Sequence, residues 1–143
     1  MRRLLVITVL ALFGVTAGTA SAAKPPDPCA LVTTTDASTV FNTTPPKPKT
    51  KPVGTTLSCT YVIKKKTMTV ATSRVATQSA FDKAAKKLGF AFPISGVGAD
   101  AWSVEGKTLL VWKNGIQISI AFVGIAPVVA TQQSLAKSAV GRL

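Results

Sequence analysis

Few of the side chains that carry enzyme chemistry occur in this sequence. The chain has no histidine. That excludes Ser-His-Asp and Cys-His nucleophile systems, and most zinc, haem and copper sites. The carboxylates are Asp27, Asp36, Asp82, Asp100 and Glu105. Asp27 and Asp36 stand at expected helix starts, and Asp82 stands on an expected helix among lysines. Asp100 and Glu105 flank a five-residue strand, which at about 3.3 Å per residue separates them by roughly 16 Å. Acid–base carboxylate pairs in glycoside hydrolysis sit about 5–10 Å apart. A calcium site needs clustered carboxylates, which the spacing does not provide. Ser134-Leu-Ala-Lys137 has the letters of a Ser–Lys dyad but falls inside an expected helix. Gly96-Val-Gly98 precedes a strand rather than a helix, so it reads as a turn and not a phosphate cradle. These readings predict no enzyme, no metal and no cofactor.

Charge is the other chemical resource. The chain carries 17 Lys+Arg against 5 Asp+Glu, a net charge of +12. Three lysine groups stand out: Lys47, Lys49 and Lys51; Lys64, Lys65 and Lys66; and Lys83, Lys86 and Lys87. A surface of that sign attracts polyanions or anionic lipid headgroups. Readers of nucleic-acid sequence interleave arginines and aromatics with lysines. Past residue 22 only Arg74, Arg142 and the single tyrosine, Tyr61, are of use in that way, so the sequence predicts no sequence-specific nucleic-acid binding. Solvation of an apolar-rich chain is the competing account of the charge.

Export is read from the N-terminus. Met1-Arg2-Arg3, the uncharged run Leu4 to Val15 and the small residues 17–23 follow the order of a secretory signal. Ala20-Ser21-Ala22 suits signal peptidase, which places cleavage after Ala22. A retained N-terminal anchor is the alternative, although the apolar run falls short of the roughly 20 residues that span a bilayer. Residues 1–22 are thus expected to be the signal and residues 23–143 one secreted domain, extracellular or in the cell wall. Removing 22 of 143 residues leaves 121, enough for one core. Cys29 and Cys59 are the only cysteines. In an oxidising compartment such a pair reads as a disulfide, with two buried free thiols as the alternative.

The elements that must position these residues follow from local signals. Asp27-Pro28 starts a short helix, and Thr34 or Thr35 caps a second one ending at Phe41. Residues 42–56, with four prolines among their lysines, read as a mobile, extended basic loop. Leu57–Ile63 and Thr67–Val75 alternate as the strands of a hairpin with a lysine tip. Thr77 caps a helix to Leu88 whose inward face is Phe81, Ala84, Ala85 and Leu88. Residues 92–98 read as a connector. Asp100–Val104, Thr108–Trp112 and Ile116–Phe122 read as a meander turning at Glu105-Gly106 and Asn114-Gly115. Those turns place Val111 opposite Ile118, Leu109 opposite Ile120, and Trp102 beside Leu109. Val128–Leu143 reads as a terminal helix with Leu135, Ala139 and Val128 inward. The expected fold is an α+β two-layer sandwich, an antiparallel sheet of about five strands with helices on one face, in the order ααββαβββα. Leu110 and Trp112 would then stand exposed on the reverse face, unless a loop or the terminal helix covers it.

Several segments resemble an actinobacterial family of small secreted proteins and lipoproteins whose domain has no assigned function. The likeness rests on Asp27-Pro28-Cys29-Ala30-Leu31-Val32, Ser58-Cys59-Thr60-Tyr61, Gly96-Val97-Gly98-Ala99-Asp100-Ala101 and Leu135-Ala136-Lys137. It implies a Cys29–Cys59 disulfide, an envelope or extracellular location, a fold similar to two-layer PsbP-like domains, and no catalytic residues. The chain departs from the lipoprotein members in having no cysteine directly after the apolar run.

The function expected first is non-catalytic binding of a protein or apolar partner through Leu110 and Trp112 on the sheet. The second reading is a basic adhesive domain that holds anionic envelope polymers or lipids through its lysines. A hydrolase of unrecognised type is the third.

Overall fold

The computed structural model describes residues 23–143; the signal-peptide reading of residues 1–22 lies outside them. Asp27 accepts a hydrogen bond from the Cys29 backbone and caps α1 (Pro28–Leu31). Thr33, one residue before the expected cap, closes a capping box with Asp36 at the start of α2 (Thr34–Phe41). The strands are β1 (Lys51–Val53), β2 (Thr56–Ile63), β3 (Lys66–Arg74), β4 (Ala91–Pro93), β5 (Asp100–Val104), β6 (Thr108–Lys113) and β7 (Ile116–Val123). Between β3 and β4 lies α3 (Gln78–Lys87), capped by the Thr77 hydroxyl, and α4 (Val129–Gly141) closes the fold.

The seven strands of the described residues form one antiparallel sheet in the order β1-β2-β3-β7-β6-β5-β4. The class is α+β as expected, but five strands become seven and the expected order does not hold. The two additions are three-residue edge strands. Lys51–Val53 pairs from within the expected 42–56 loop, and Ala91–Pro93 overlaps the expected connector. Each carries a proline, Pro52 and Pro93, and an edge is where a strand tolerates a residue with no N–H to donate.

Helices cover both faces, not one. On the first face α1, α2 and α4 pack over Cys59, Tyr61, Met68, Val70, Leu109, Val111, Ile118 and Ile120. On the reverse face α3 alone sets Phe81 and Ala85 over Leu110 and Val104, with Trp102 and Trp112 beside them.

Register explains that second core. Asn114 and Gly115 take φ of 50° and 80°, the pairing expected of a two-residue hairpin turn. Leu109 accordingly faces Ile120 and Val111 faces Ile118. At Glu105-Gly106, however, Val104 pairs with Thr108, leaving Lys107 as an extra residue. A one-residue shift moves a whole strand's side chains to the other face. Trp102 therefore neighbours Leu110 on the reverse face, and Ser103 takes the buried place opposite Leu109.

The N-terminal segment is tied to the sheet covalently. The Sγ atoms of Cys29 and Cys59 lie 2.12 Å apart, joining α1 to β2. Thr72 donates to the Pro26 carbonyl at 2.7 Å, holding the lead-in along β3. Among the described residues, both cores and the disulfide are built from side chains between Cys29 and Val140.

Candidate functional site

The surface expected to bind an apolar partner is covered. Leu110 retains 3% exposure and touches Phe81 and Ala85 of α3. Trp112 is half-buried and donates its indole N–H to the Val75 carbonyl at 2.8 Å, while Trp102 donates to Asp82 Oδ1 at 3.2 Å. Lys86 Nζ lies 5.8 Å from the centre of the Trp102 ring, a cation–π distance. The bulky apolar residues of β5 and β6 on this side thus form a core with α3.

Beyond α3 the reverse face is open, and small side chains floor it. One cross-strand row runs Ser58, Ala71, Ser119 and Leu110; the next runs Thr60, Thr69, Ala121 and Thr108. Thr60 and Thr69 place their hydroxyls 3.3 Å apart. The outer end of α3 does not close over this floor. Ala84 and Leu88, expected inward, are exposed. At 100° per residue they lie on the flank of α3 opposite Asp82 and Lys86, the side on which the sheet offers only small residues.

The other border of the floor is basic. Lys51 pairs with Ser58. Continuing that antiparallel register in steps of two brings Lys49 to Thr60 and Lys47 to Val62, and these six residues line one groove of about 480 Å³. The alternation shows in burial too: Lys47, Lys49 and Lys51 are exposed while Pro48 and Thr50 are half-buried. Thr50 turns the opposite way and donates to Asp27 Oδ1. The segment behaves as an extension of the edge strand with its lysines projecting on one side, about 6.6 Å apart.

The other lysine groups stand apart from this one. Lys64, Lys65 and Lys66 line a groove with Phe41, Thr43 and Ile63 at the β2–β3 turn. Lys83 and Lys86 line a third with Gln78, Ser79 and Asp82, and Lys87 is exposed beside it. Among the described residues the one ion pair is Arg142–Asp36, so none of these lysines is neutralised by a carboxylate.

Shifted ionisations belong to the first face. Burial opposes ionisation of Asp36, but hydrogen bonds from Arg142 and Thr33 outweigh it and hold the carboxyl below its ordinary 3.8. Tyr61 is pushed up to about 12, by burial first and then by the charges of Asp36 and Asp27. Its hydroxyl donates to the Val32 carbonyl. These groups are engaged in structure. Ser134 and Lys137 are exposed within α4, and Asp100 and Glu105 sit at the two ends of β5. Among the described residues no group of three or more His, Cys, Asp or Glu could hold a metal ion.

Protein-family models, curated proteins and solved structures all fail to match the chain. Among the described residues no helix is long and apolar enough to cross a membrane. That observation and the disulfide are compatible with an extracellular protein.

The lysines of this groove stand out in the sequence, whereas the hydroxyl floor beside them does not. The signal was present in Ser58-x-Thr60 and Thr67-x-Thr69-x-Ala71, the outward halves of two alternating strands. Their importance depends on α3 reaching only as far as β6.

Proposed function

We propose that the protein is a non-catalytic secreted domain that holds linear anionic polymers of the cell envelope along the groove of Lys47, Lys49 and Lys51. One observation carries the reading: three unpaired cations project at alternate residues onto a row of hydroxyls. A row of positive charge matches a repeating anion, and Ser58 and Thr60 can donate to its oxygens. The prolines on either side restrict the backbone, so that less conformational freedom is lost on binding. Such contacts are electrostatic and independent of sequence. The burial of Leu110 removes the main support for an apolar partner at that place.

Retention on immobilised polyphosphate at two salt concentrations tests the proposal. The wild type is retained at low salt and released at moderate salt. A Lys47→Ala/Lys49→Ala/Lys51→Ala variant is released earlier, with the slope of log affinity against log salt reduced by about 2, at roughly 0.7 per phosphate contact. Equal retention of the variant and the wild type would refute the proposal.

A further inference from the structure

The register gathers a second surface at one end of the molecule. The pairs Ile63–Lys66, Thr67–Val123, Thr108–Ala121 and Val104–Thr108 bring the Lys64-Lys65 turn, the end of β7 and the Glu105–Lys107 turn to the same end of the sheet. Phe90 joins them, because its carbonyl accepts the Glu105 N–H at 2.8 Å. The N-terminus of α4 joins as well, through Gln132, whose Nε2 donates to the carbonyls of Pro127 and Gly106. Gly124 passes so close to the Lys65 carbonyl that a Cβ there would lie 2.8 Å from its oxygen.

Six of the eight exposed large apolar residues among those described collect at this end: Val62, Leu88, Phe90, Val123, Val128 and Val129. Phe90 is 79% exposed. From β2 to β4 the band crosses five strand spacings, about 24 Å at roughly 4.8 Å each. Exposed lysines alternate with it: Lys64, Lys65 and Lys66 at one turn and Lys107 at the other. Glu105 is the carboxylate at these turns.

We infer that this end docks onto the surface of an anionic lipid bilayer. A soluble polyanion would be served by lysines alone, and Phe90 and Val123 in water would remain unexplained. Exposed apolar side chains set among lysines match an interface in which hydrocarbon lies just beneath negative headgroups. The short apolar side chains enter the headgroup–acyl boundary, and the lysine stems keep their ammonium groups at headgroup level. The surface meets the Lys47–Lys51 groove at Val62, which belongs to both, whereas Phe90, Val123 and the turn lysines lie outside that groove.

Sedimentation with vesicles tests the inference, using chain starting at Ala23 so that the apolar run Leu4–Val15 cannot contribute. Its disulfide is checked by mass and its fold by circular dichroism. The protein should pellet with vesicles of 30% phosphatidylglycerol in phosphatidylcholine and stay in solution with phosphatidylcholine alone. Phe90→Ser/Val123→Ser should weaken pelleting at least tenfold at physiological salt and leave polyphosphate retention unchanged. Both side chains are exposed, so the variant should keep the wild-type spectrum. No pelleting with phosphatidylglycerol vesicles would overturn the inference, as would pelleting unaffected by the double substitution. Concentration-dependent dimerisation abolished by the same substitutions would also overturn it, by assigning the surface to a second copy of the chain. Loss of polyphosphate retention by the triple lysine variant, with vesicle binding intact, would separate the two surfaces.

Discussion

Arg142 Nη1 donates to Asp36 Oδ2 at 2.7 Å, and the same oxygen accepts the Thr33 N–H at 2.7 Å. A single carboxylate therefore caps α2 and anchors the residue that follows α4. The guanidinium also reaches the Leu31 carbonyl at 2.7 Å, so the C-terminal end closes over the loop between α1 and α2.

Because the Asp36 carboxyl is held below its ordinary 3.8 in the folded protein, its stabilising contribution is present above that pH and is lost as pH falls through the lower, folded value. Arg142 is partly exposed, and solvent screening limits the contribution of the pair. Asp36→Asn keeps an acceptor for the Thr33 N–H but removes the charge that faces Arg142 and the start of α2, and is expected to cost about 1 kcal/mol at pH 7. The gap to wild type should shrink steadily in urea melts taken from pH 5 down to pH 2. A gap of constant size would show that the carboxylate's charge is not involved.

Tyr61 is the opposite case. Its folded value of about 12 lies above its ordinary 10.0, so its contribution is complete below pH 10 and is lost between pH 10 and 12. Two pK units correspond to roughly 2–3 kcal/mol. Tyr61→Phe should destabilise at neutral pH by about 1–3 kcal/mol, because the Val32 carbonyl loses its buried donor. The variant should also lack the part of the wild type's alkaline loss that belongs to this phenol. Thermal melts at pH 7 and pH 11 measure both effects.

The disulfide spans a sequence separation of 30. In the chain-entropy model a loop of that size stabilises by about 3–4 kcal/mol. Cys29→Ser/Cys59→Ser should accordingly lower the Tm by roughly 10–15 °C for a domain of this size. Intact mass should show no alkylation of the wild type before reduction, and two added groups after it. Alkylation without reductant would show that the cysteines are free.

Much of the fold could be read because local signals agreed with tertiary demand. Asp27-Pro28, Thr77 and Asn114-Gly115 fix their backbones by short-range chemistry, and the elements they bound lie within a residue or two of expectation. The misses share a different cause. Pro52 and Pro93 argue against strands locally, yet each sits at an edge, where a neighbour supplies the pairing. Trp102 lies on the face opposite to the one its sequence predicts, because a two-residue turn at Glu105-Gly106 and the observed turn with an extra Lys107 look alike in sequence. That single residue moved Trp102 next to Leu110 and Trp112 and created a surface that must be covered. The lysines of the candidate groove were legible as charge, but their shared direction came only from the pairing of Lys51 with Ser58. Val128, read as inward, is exposed because it precedes the first turn of α4.

The second core yields the most direct test of that register. Phe81 is fully buried and is the one large side chain that α3 inserts over Leu110. Phe81→Ala should cost about 3–5 kcal/mol if the first core remains intact. With its anchor gone, α3 should open to solvent before the sheet does, since helices of this length are marginal without packing. Trp102 and Trp112 both lie against α3, so their fluorescence should shift to the red in the variant at denaturant concentrations where far-ultraviolet circular dichroism still reports the strands. Leu109→Ala, on the opposite face, should instead bring both signals down together. Coincident transitions in Phe81→Ala would show that the two faces form one cooperative unit and that α3 is more than a cover over the reverse face.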